Sequence, residues 1–214
     1  FSDVDKKGNV LVERVELCSE QFKWTARYSG KDNKLGMFDY KLTTDKNQLA
    51  LVTTATLDSA IRLMEVGSAD GAVLGIKLLE DKLNNPKNIF IPKDRVKMEN
   101  DLDRKTRLLR LLYQMKARHN ASNDALAYDD IIETDTLHLA KGQMYEFNFR
   151  AKDVIHSAYF PHFRAQINTV PGLTTRFKFK PTISTDEMKV KMRNPAFNYV
   201  LMCNKICGGA HYKM

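Results

Sequence analysis

The sequence predicts a mainly β domain, built as an antiparallel sandwich, that is interrupted by an α-helical segment. Alternating apolar and polar residues predict strands near the N-terminus and again in the C-terminal part, whereas the stretch between them has helical spacing. The chain has 214 residues and is 43% hydrophobic, which suffices for one domain with a full core and an added segment. We expect residues 1–40 to form the first strands, 41–125 the helical insertion and 126–214 the rest of the β domain.

The first strands are predicted from GNVLVERVELCSEQFKWTARY, where apolar and polar residues alternate. The apolar positions are Val10, Val12, Val15 and Leu17. Cys18 lies on the same stretch, and we interpret it as a small buried hydrophobic residue.

Helices are predicted in the insertion from LDSAIRLMEV and GAVLGIKLLEDKL, followed by the turn-rich NNPKNIFIPKD. A third helix is predicted in MENDLDRKTRLLRLLYQMKARHN, with Asn100 or Asp101 as its cap. Its apolar stripe consists of Leu108, Leu111, Leu112 and Met115.

Basic residues crowd the rest of this third helix. They are Arg104, Lys105, Arg107, Arg110, Lys116 and Arg118. A solvated helix face and a docking face for an anionic partner both remain open, as they do for the net charge of +8 of the whole chain. No block of Lys and Arg has interleaved stacking aromatic residues, so nucleic acid is not predicted as a partner.

Strands return from about Asp130. TLHLAKGQMYEFNFRAKDVIH presents Leu137 and Leu139, then a turn at Lys141 and Gly142. Aromatic residues then alternate with polar ones at Tyr145, Phe147 and Phe149, and again at Phe177 and Phe179. A last strand is predicted through Phe197, Tyr199 and Leu201, and it leads directly into Cys203.

No apolar run is long enough to cross a bilayer, and no signal peptide is visible. The chain begins with Phe1 instead of Met, and it ends on Met214, a potential metal ligand. We therefore expect both ends to be edges of a fragment.

Soft metal ligands cluster at the C-terminus, in CNKICGGAHYKM. Cys203, Cys207, His211 and Met214 are close enough in sequence for one loop after a strand to gather them. His156, just after a predicted strand, is a further candidate. Three cysteines are too few for a disulfide scaffold, although a bond between Cys203 and Cys207 stays open. Zinc would leave the methionine unused, whereas thiolates with a thioether favour copper, and two thiolates can bridge two copper ions.

Two motifs give this chain a resemblance to a known family. The first runs through DVIHSAYFPHFRAQINTVPG and consists of Asp153, Val154, His156, Pro161, Pro171 and Gly172. The second is Cys-x3-Cys-Gly-x2-His-x2-Met at the C-terminus. Together with the aromatic stretch EQFKWTARY, they resemble subunit II of the haem-copper cytochrome c oxidases, of a bacterial type with an inserted helical segment. The resemblance covers about 10–40 and 130–214.

The resemblance implies a cupredoxin-like Greek-key β-barrel that carries the dinuclear copper centre CuA. His156 and His211 would each bind one copper ion, and Cys203 and Cys207 would bridge the two ions. Met214 and the backbone carbonyl of Lys205 would be the axial ligands. An N-terminal transmembrane hairpin, absent from this chain, would anchor the domain on the periplasmic face of the bacterial inner membrane.

The resemblance also implies partners. Electrons would arrive one at a time from a c-type cytochrome and pass to haem a of subunit I, where haem a3 and CuB reduce oxygen to water with proton pumping. Subunit III would complete the oxidase, and this chain would hold no catalytic residue of its own. The resemblance leaves a haem c group on this chain open.

Two departures from the family pattern alter these expectations. Lys205 stands where the family has a glutamate, so we predict no magnesium ligand there, and we expect its charge to raise the copper reduction potential. Phe22 stands at the position of the tryptophan through which electrons are proposed to arrive. Trp24 is either a core residue or part of the electron path. Because the chain is basic, we expect the donor to be an acidic cytochrome or one tethered in a supercomplex.

Two other functions remain as alternatives. A nitrous oxide reductase has the same copper spacing but would need a long domain rich in histidine, and this chain has five histidines. A copper chaperone or storage module would favour exposed Met and Cys ligands. For the insertion, a contact surface for another subunit is the hypothesis.

Overall fold

The structure is a computed structural model in which residues 11–44, 46–211 and 214 are described. The chain divides into two compact units. One comprises Phe1–Gly36 with Tyr128–Met214 and is called the β unit; the other, Met37–Ala127, is called the helical unit. The predicted Val10 lies outside the described residues.

The strands all belong to the β unit. They are β1 (Val12–Glu20), β2 (Lys23–Tyr28), β3 (Ile131–Thr134), β4 (Met144–Ala151), β5 (His156–Phe160), β6 (Ala165–Thr169), β7 (Thr175–Phe179) and β8 (Met202–Cys203). The α-helices are α1 (Thr54–Glu65), α2 (Ile76–Asn84), α3 (Pro92–Arg118), α4 (Ala125–Tyr128) and α5 (Thr185–Met192). Short 3-10 turns lie at Tyr40–Leu42, Ala121–Asp124 and Pro161–Phe163.

The strands form two sheets, which confirms the mainly β prediction for this unit. One sheet has the order β3-β2-β1-β4-β7, and the other has the order β6-β5-β8. The prediction of an antiparallel sandwich is wrong in one respect, because β1 and β4 run parallel. Alternation in the sequence specifies which face of a strand is buried, but it carries no information on strand direction.

Aromatic residues fill the space between the two sheets. The rings of Phe147 and Phe179 stack with centroids 4.8 Å apart, and those of Phe149 and Phe177 lie 4.7 Å apart. Phe160 reaches into the same cluster from the smaller sheet, 5.9 Å from Phe147. The alternating aromatic residues therefore form the core, as predicted, and their contacts hold the sheets together.

Two predicted strands are wrong. Leu137 and Leu139 pack on the core but lie outside any strand. Backbone N–H groups in their segment donate to phenol oxygens instead of a neighbouring strand, since His138 N donates to Tyr28 and Ala140 N donates to Tyr145, each at 2.7 Å.

The predicted strand through Phe197, Tyr199 and Leu201 shrinks to β8, immediately before the loop that contains Cys207. The rings of Phe197 and Tyr199 contact each other at 5.2 Å, so side-chain packing replaces a ladder of backbone hydrogen bonds. A helix that was not predicted, α5, precedes them. Its signature in the sequence is a capping box, in which Ser184 and Glu187 each bond the other's backbone N–H.

The helical unit has the three predicted helices, but the third begins earlier than expected. α3 starts at Pro92, a favoured residue for a first helical turn, and Asn100 and Asp101 lie inside the helix. Leu112 is fully buried against α1, whereas Leu111 remains 41% exposed. No helix among the described residues is long and apolar enough to span a membrane.

The basic residues of α3 divide into two kinds. Arg104 and Arg107 are exposed and pair with Asp101 and Asp103 of their own helix, as on a solvated face. Lys105 is buried and donates to the carbonyl oxygen of Leu74 at 2.6 Å. Lys105 therefore does not belong to the basic surface; its buried hydrogen bond connects α3 to the segment before α2.

Both faces of β1 are buried. Val15 and Leu17 face the aromatic core, while Glu16 and Cys18 lie on the opposite face. Burial raises the pKa of the Cys18 thiol to about 11, in keeping with its predicted role as a buried apolar residue.

Glu16 is the centre of a buried ion network that joins three strands. Its carboxylate accepts from Arg27 Nε of β2 at 2.9 Å and from Arg150 Nε of β4 at 2.7 Å. Arg27 also pairs with Asp130 at 3.0 Å, so two guanidinium groups face two carboxylates. Glu16 and Arg27 are 2% and 1% exposed, so each charge is stabilised by its ion-pair partners instead of by water.

We predict that Glu16→Ala destabilises the β unit by about 3–5 kcal/mol, because two buried guanidinium groups lose their counter-charge. The matched control is Glu20→Ala on the same strand. Glu20 also bridges two cations, Lys23 and Lys152, but at a partly exposed position where we expect about 1 kcal/mol or less. Urea unfolding followed by the fluorescence of Trp24, the single tryptophan, measures both changes. Equal losses in the two variants would contradict the prediction.

Candidate metal centre

The pairing of β5 with β8 brings the two sequence motifs together. Ala158 of β5 lies opposite Cys203 of β8 in an antiparallel register, and His156 opens β5 two residues earlier. His156, Cys203 and Cys207 are 0%, 4% and 6% exposed, and one ligand atom from each lies within 4.8 Å of the others. Ligands 47 residues apart in sequence therefore meet in one buried cluster.

Three of the four candidate side chains form a compact group, and the fourth, His211, adjoins it at Cys207. His156 Nδ1 lies 4.0 Å from Cys203 Sγ, the two Sγ atoms lie 3.9 Å apart, and Cys207 Sγ lies 3.4 Å from His211 Nδ1. Both cysteines are free. The imidazole nearest to Cys207 is thus that of His211, whereas His156 lies within 4.8 Å of both sulfur atoms.

Lys205 and Met214, the two predicted axial ligands, adjoin this group through their backbone atoms. The carbonyl oxygen of Lys205 lies 3.1 Å from Cys203 Sγ, while the lysine side chain is exposed. Met214 is partly buried against the core. Its N–H donates to the His211 carbonyl and its carbonyl accepts from Cys203 N–H, each at 3.1 Å, so the chain returns to β8.

Asp153 orients the buried histidine. Its carboxylate lies 2.8 Å from His156 Nε2 and accepts from Gln21 N–H at 2.7 Å. Burial opposes ionisation of Asp153, but these hydrogen bonds, together with one from Val154 N–H, hold its pKa below the usual range. The ionised carboxylate keeps the imidazole proton on Nε2, which leaves the Nδ1 lone pair facing the sulfur atoms.

Burial, and after it the hydrogen bond and charge of Cys203, raise the pKa of the Cys207 thiol to about 11. Two buried thiolates 3.9 Å apart would repel each other unless a cation lay between them. Two imidazoles, two thiols and a thioether are a donor set for a soft cation, so the residues present fit copper.

Gly208 allows the loop to pack against β1 and β2. Its φ is +152°, and an added Cβ would lie 2.7 Å from Gln21 Nε2 and 2.9 Å from the Phe22 ring. The Gln21 amide also donates to the carbonyl of Cys207. Gln21 thus holds the loop and Asp153 together, a role that no motif in the sequence indicates.

Trp24 fits both interpretations made from the sequence. It is 7% exposed within the core, and its ring meets that of His156 edge-on with centroids 6.4 Å apart. Its indole Nε1 is buried without a hydrogen-bond partner in the part of the chain that the structure describes. Trp24 also lines a cleft of about 810 Å³ with Phe160 and Leu201, whose lining does not include the cysteines. Phe22 is half-buried next to Gly208.

Comparisons with known proteins point to one family. No family model matches the sequence. The chain is 36% identical over 86 residues to an alternative cytochrome c oxidase subunit 2 of Bradyrhizobium diazoefficiens, covering 40% of this chain and 27% of that protein. It is 33% identical over 87 residues to cytochrome c oxidase subunit 2 of Thermostichus vulcanus, covering 40% and 22%.

Among solved structures, the periplasmic domain of subunit II of cytochrome oxidase (CoxB) of Bradyrhizobium japonicum aligns with 93% of this chain and 76% of that one. The TM-score is 0.34 and the identity is 12%. The chain spans about a quarter of the length of the curated relatives that it matches. Over about 40% of its length, the chain is therefore similar to cytochrome c oxidase subunit 2 proteins, the family that its motifs resemble.

Proposed function

We propose that this chain is the copper-carrying domain of an oxidase subunit II, with a cupredoxin-like fold, and that it receives electrons for an oxygen-reducing partner. His156, Cys203, Cys207 and His211 hold two copper ions, with Met214 and the Lys205 carbonyl as weak ligands. When bound, the copper pair supplies one-electron redox chemistry. The protein residues hold the ligand atoms in place, exclude water and keep the proton of His156 on Nε2.

The observation that carries the proposal is that His211 lies outside the compact group formed by the other three candidate ligands. A single tetrahedral zinc ion needs all four donors around one point. Here the mutually close group comprises His156, Cys203 and Cys207, whereas His211 adjoins this group at Cys207. Two thiolates between two imidazoles suit two bridged ions, one beside each histidine.

Burial distinguishes a resident centre from a transfer site. A copper chaperone or storage module must release its metal to a partner, which favours exposed ligands. His156 and both cysteines are almost fully buried, so they suit a permanently held ion pair. Between the two enzyme alternatives, both similar proteins are oxidase subunits and neither is a nitrous oxide reductase, which favours the oxidase.

The surface around the loops suits a protein donor. Ile206 is 88% exposed between the two cysteines, and Val154 and Ile155 are partly exposed before His156. The exposed Lys205 adds a positive charge. We propose that a c-type cytochrome, acidic or tethered in a supercomplex, docks here, and that subunits I and III are the other partners. The domain then lies on the periplasmic face of a bacterial inner membrane.

The test is reconstitution with copper. We expect a purple protein with a seven-line hyperfine pattern in electron paramagnetic resonance, as for one electron shared by two copper nuclei. Cys203→Ser should abolish the pattern, whereas Cys18→Ser, a buried cysteine on β1 outside the cluster, should retain it. A four-line pattern from one copper ion, or a colourless protein that binds only zinc, would refute the proposal.

The two adjacent glycines of the loop provide a second prediction. Gly208→Ala should lower copper occupancy, because its Cβ would displace Gln21 and Phe22. Gly209→Ala should leave occupancy unchanged, because an added Cβ there meets nothing within 4 Å. Metal analysis of the purified variants measures the difference. Equal occupancy in both would show that the contact with Gln21 does not position the loop.

Lys205 provides a third prediction, on the reduction potential of the bound copper. Lys205→Glu replaces a positive charge beside the cluster with a negative one, which favours the oxidised state. We expect the potential to fall by roughly tens of millivolts, since solvent screens an exposed side chain. Lys205→Gln should give about half that change. Redox titration of the visible absorption measures both, and an unchanged potential in Lys205→Glu would contradict the assignment.

A further inference from the structure

The connection between α2 and α3 in the helical unit presents an exposed apolar tip. Residues 84–97 are all exposed except Phe90, which is half-buried. Ile89 is 97% exposed, Ile91 is 69% exposed and Val96 is 54% exposed. Isolated apolar residues on a surface are common, but three consecutive bulky ones, Ile-Phe-Ile, at a projecting turn leave a contiguous apolar surface in water.

The turn that carries these residues is held by its own hydrogen bonds. Asn88 N–H donates to the Asn85 carbonyl at 3.0 Å, and the Asn88 side chain donates to the carbonyl of Lys82 at 2.9 Å. Lys87 N–H donates to the Asn85 side chain at 3.0 Å. The apolar side chains are therefore presented on an ordered turn, which reduces the entropy lost when they are buried.

Cations flank the apolar residues on both sides. Residues 85–97 contain four basic side chains and one acidic side chain, a formal charge of +3. Lys87 precedes the apolar triplet, while Lys93 and Lys97 follow it one helical turn apart on the exposed start of α3. An apolar centre with lysines around it matches a bilayer interface, where acyl chains accept the apolar groups and phosphates face the ammonium groups.

We propose that residues 85–97 form a membrane-anchoring tip that inserts Ile89, Phe90 and Ile91 into the interface of an anionic lipid bilayer. Lys87, Lys93 and Lys97 contact the lipid phosphates. The composition favours lipid over a protein partner, because lysine is depleted at the cores of protein interfaces and the tip lacks tryptophan and tyrosine. The anchoring is independent of the copper centre.

The test is flotation of the 214-residue chain with lipid vesicles. We expect binding to vesicles with about 30% phosphatidylglycerol and little binding to pure phosphatidylcholine, with binding weakened by salt. Ile89→Ser with Ile91→Ser should lower the partition coefficient roughly tenfold or more. Lys93→Gln with Lys97→Gln should lower it on the order of fivefold for each lysine.

The matched control lies in α5 of the β unit. Val190 and Met192 are 79% and 56% exposed and have lysines beside them, so Val190→Ser with Met192→Ser removes a comparable apolar surface. This control should leave binding unchanged. All the substituted residues are exposed, and unchanged circular dichroism will verify that the variants are folded.

A spectroscopic variant tests insertion directly. In Ile89→Trp, lipids brominated on their acyl chains should quench the added emission, while the buried Trp24 of the parent chain stays unquenched. Absence of vesicle binding would overturn the proposal. Binding that persists unchanged in the Ile89→Ser, Ile91→Ser variant would also overturn it. Adsorption by charge alone, or capture of an acidic protein in place of lipid, does not need an inserted tip.

Discussion

The candidate centre depends on one short backbone pairing, that of β5 with β8. Tyr159 pairs with Met202 and Ala158 with Cys203, and this register fixes both the start of β5 and the start of the C-terminal loop. A slip by one residue would turn Cys203 away from the cluster, because successive side chains of a strand point to opposite faces. Two strand residues of β8 therefore decide whether ligands distant in sequence meet at all.

The pairing alone would leave the loop free, and polar contacts from other strands restrain it. Asp153 connects His156 to the backbone of Gln21, and the Gln21 side chain connects to Cys207. The Met214 carbonyl closes the loop on Cys203 N–H. Side chains restrained in this way from several directions would move little if a metal ion bound to them changed charge, which in the proposed function would favour fast electron transfer.

The proximity of the candidate ligands could largely be predicted from the sequence, because spacing encodes a loop directly. Cys203, Cys207 and His211 follow a local pattern, and the resemblance of the segment around Asp153 added His156 from far away. Gln21 could not be predicted, because a glutamine hydrogen bond to a backbone carbonyl has no sequence signature. The parallel direction of β4 and the loss of a strand at Leu137 also depended on tertiary contacts, such as phenol oxygens that accept backbone N–H groups.

The least predictable feature is the charge on the outer face of the large sheet, and it bears on the centre. Charged residues alternate with the core residues along the strands, and Glu16, Arg27 and Arg150 are buried on that face as an ion network. Burying charge is costly, and an apolar face of the same volume is often as stable. The network does, however, connect β2, β1 and β4 in that lateral order, because Arg27 lies directly opposite Glu16 and Arg150 lies opposite Cys18. That order places Gln21, at the turn between β1 and β2, where it can hold the cysteine loop, so a buried charge on one face of the sheet supports ligand placement on the other.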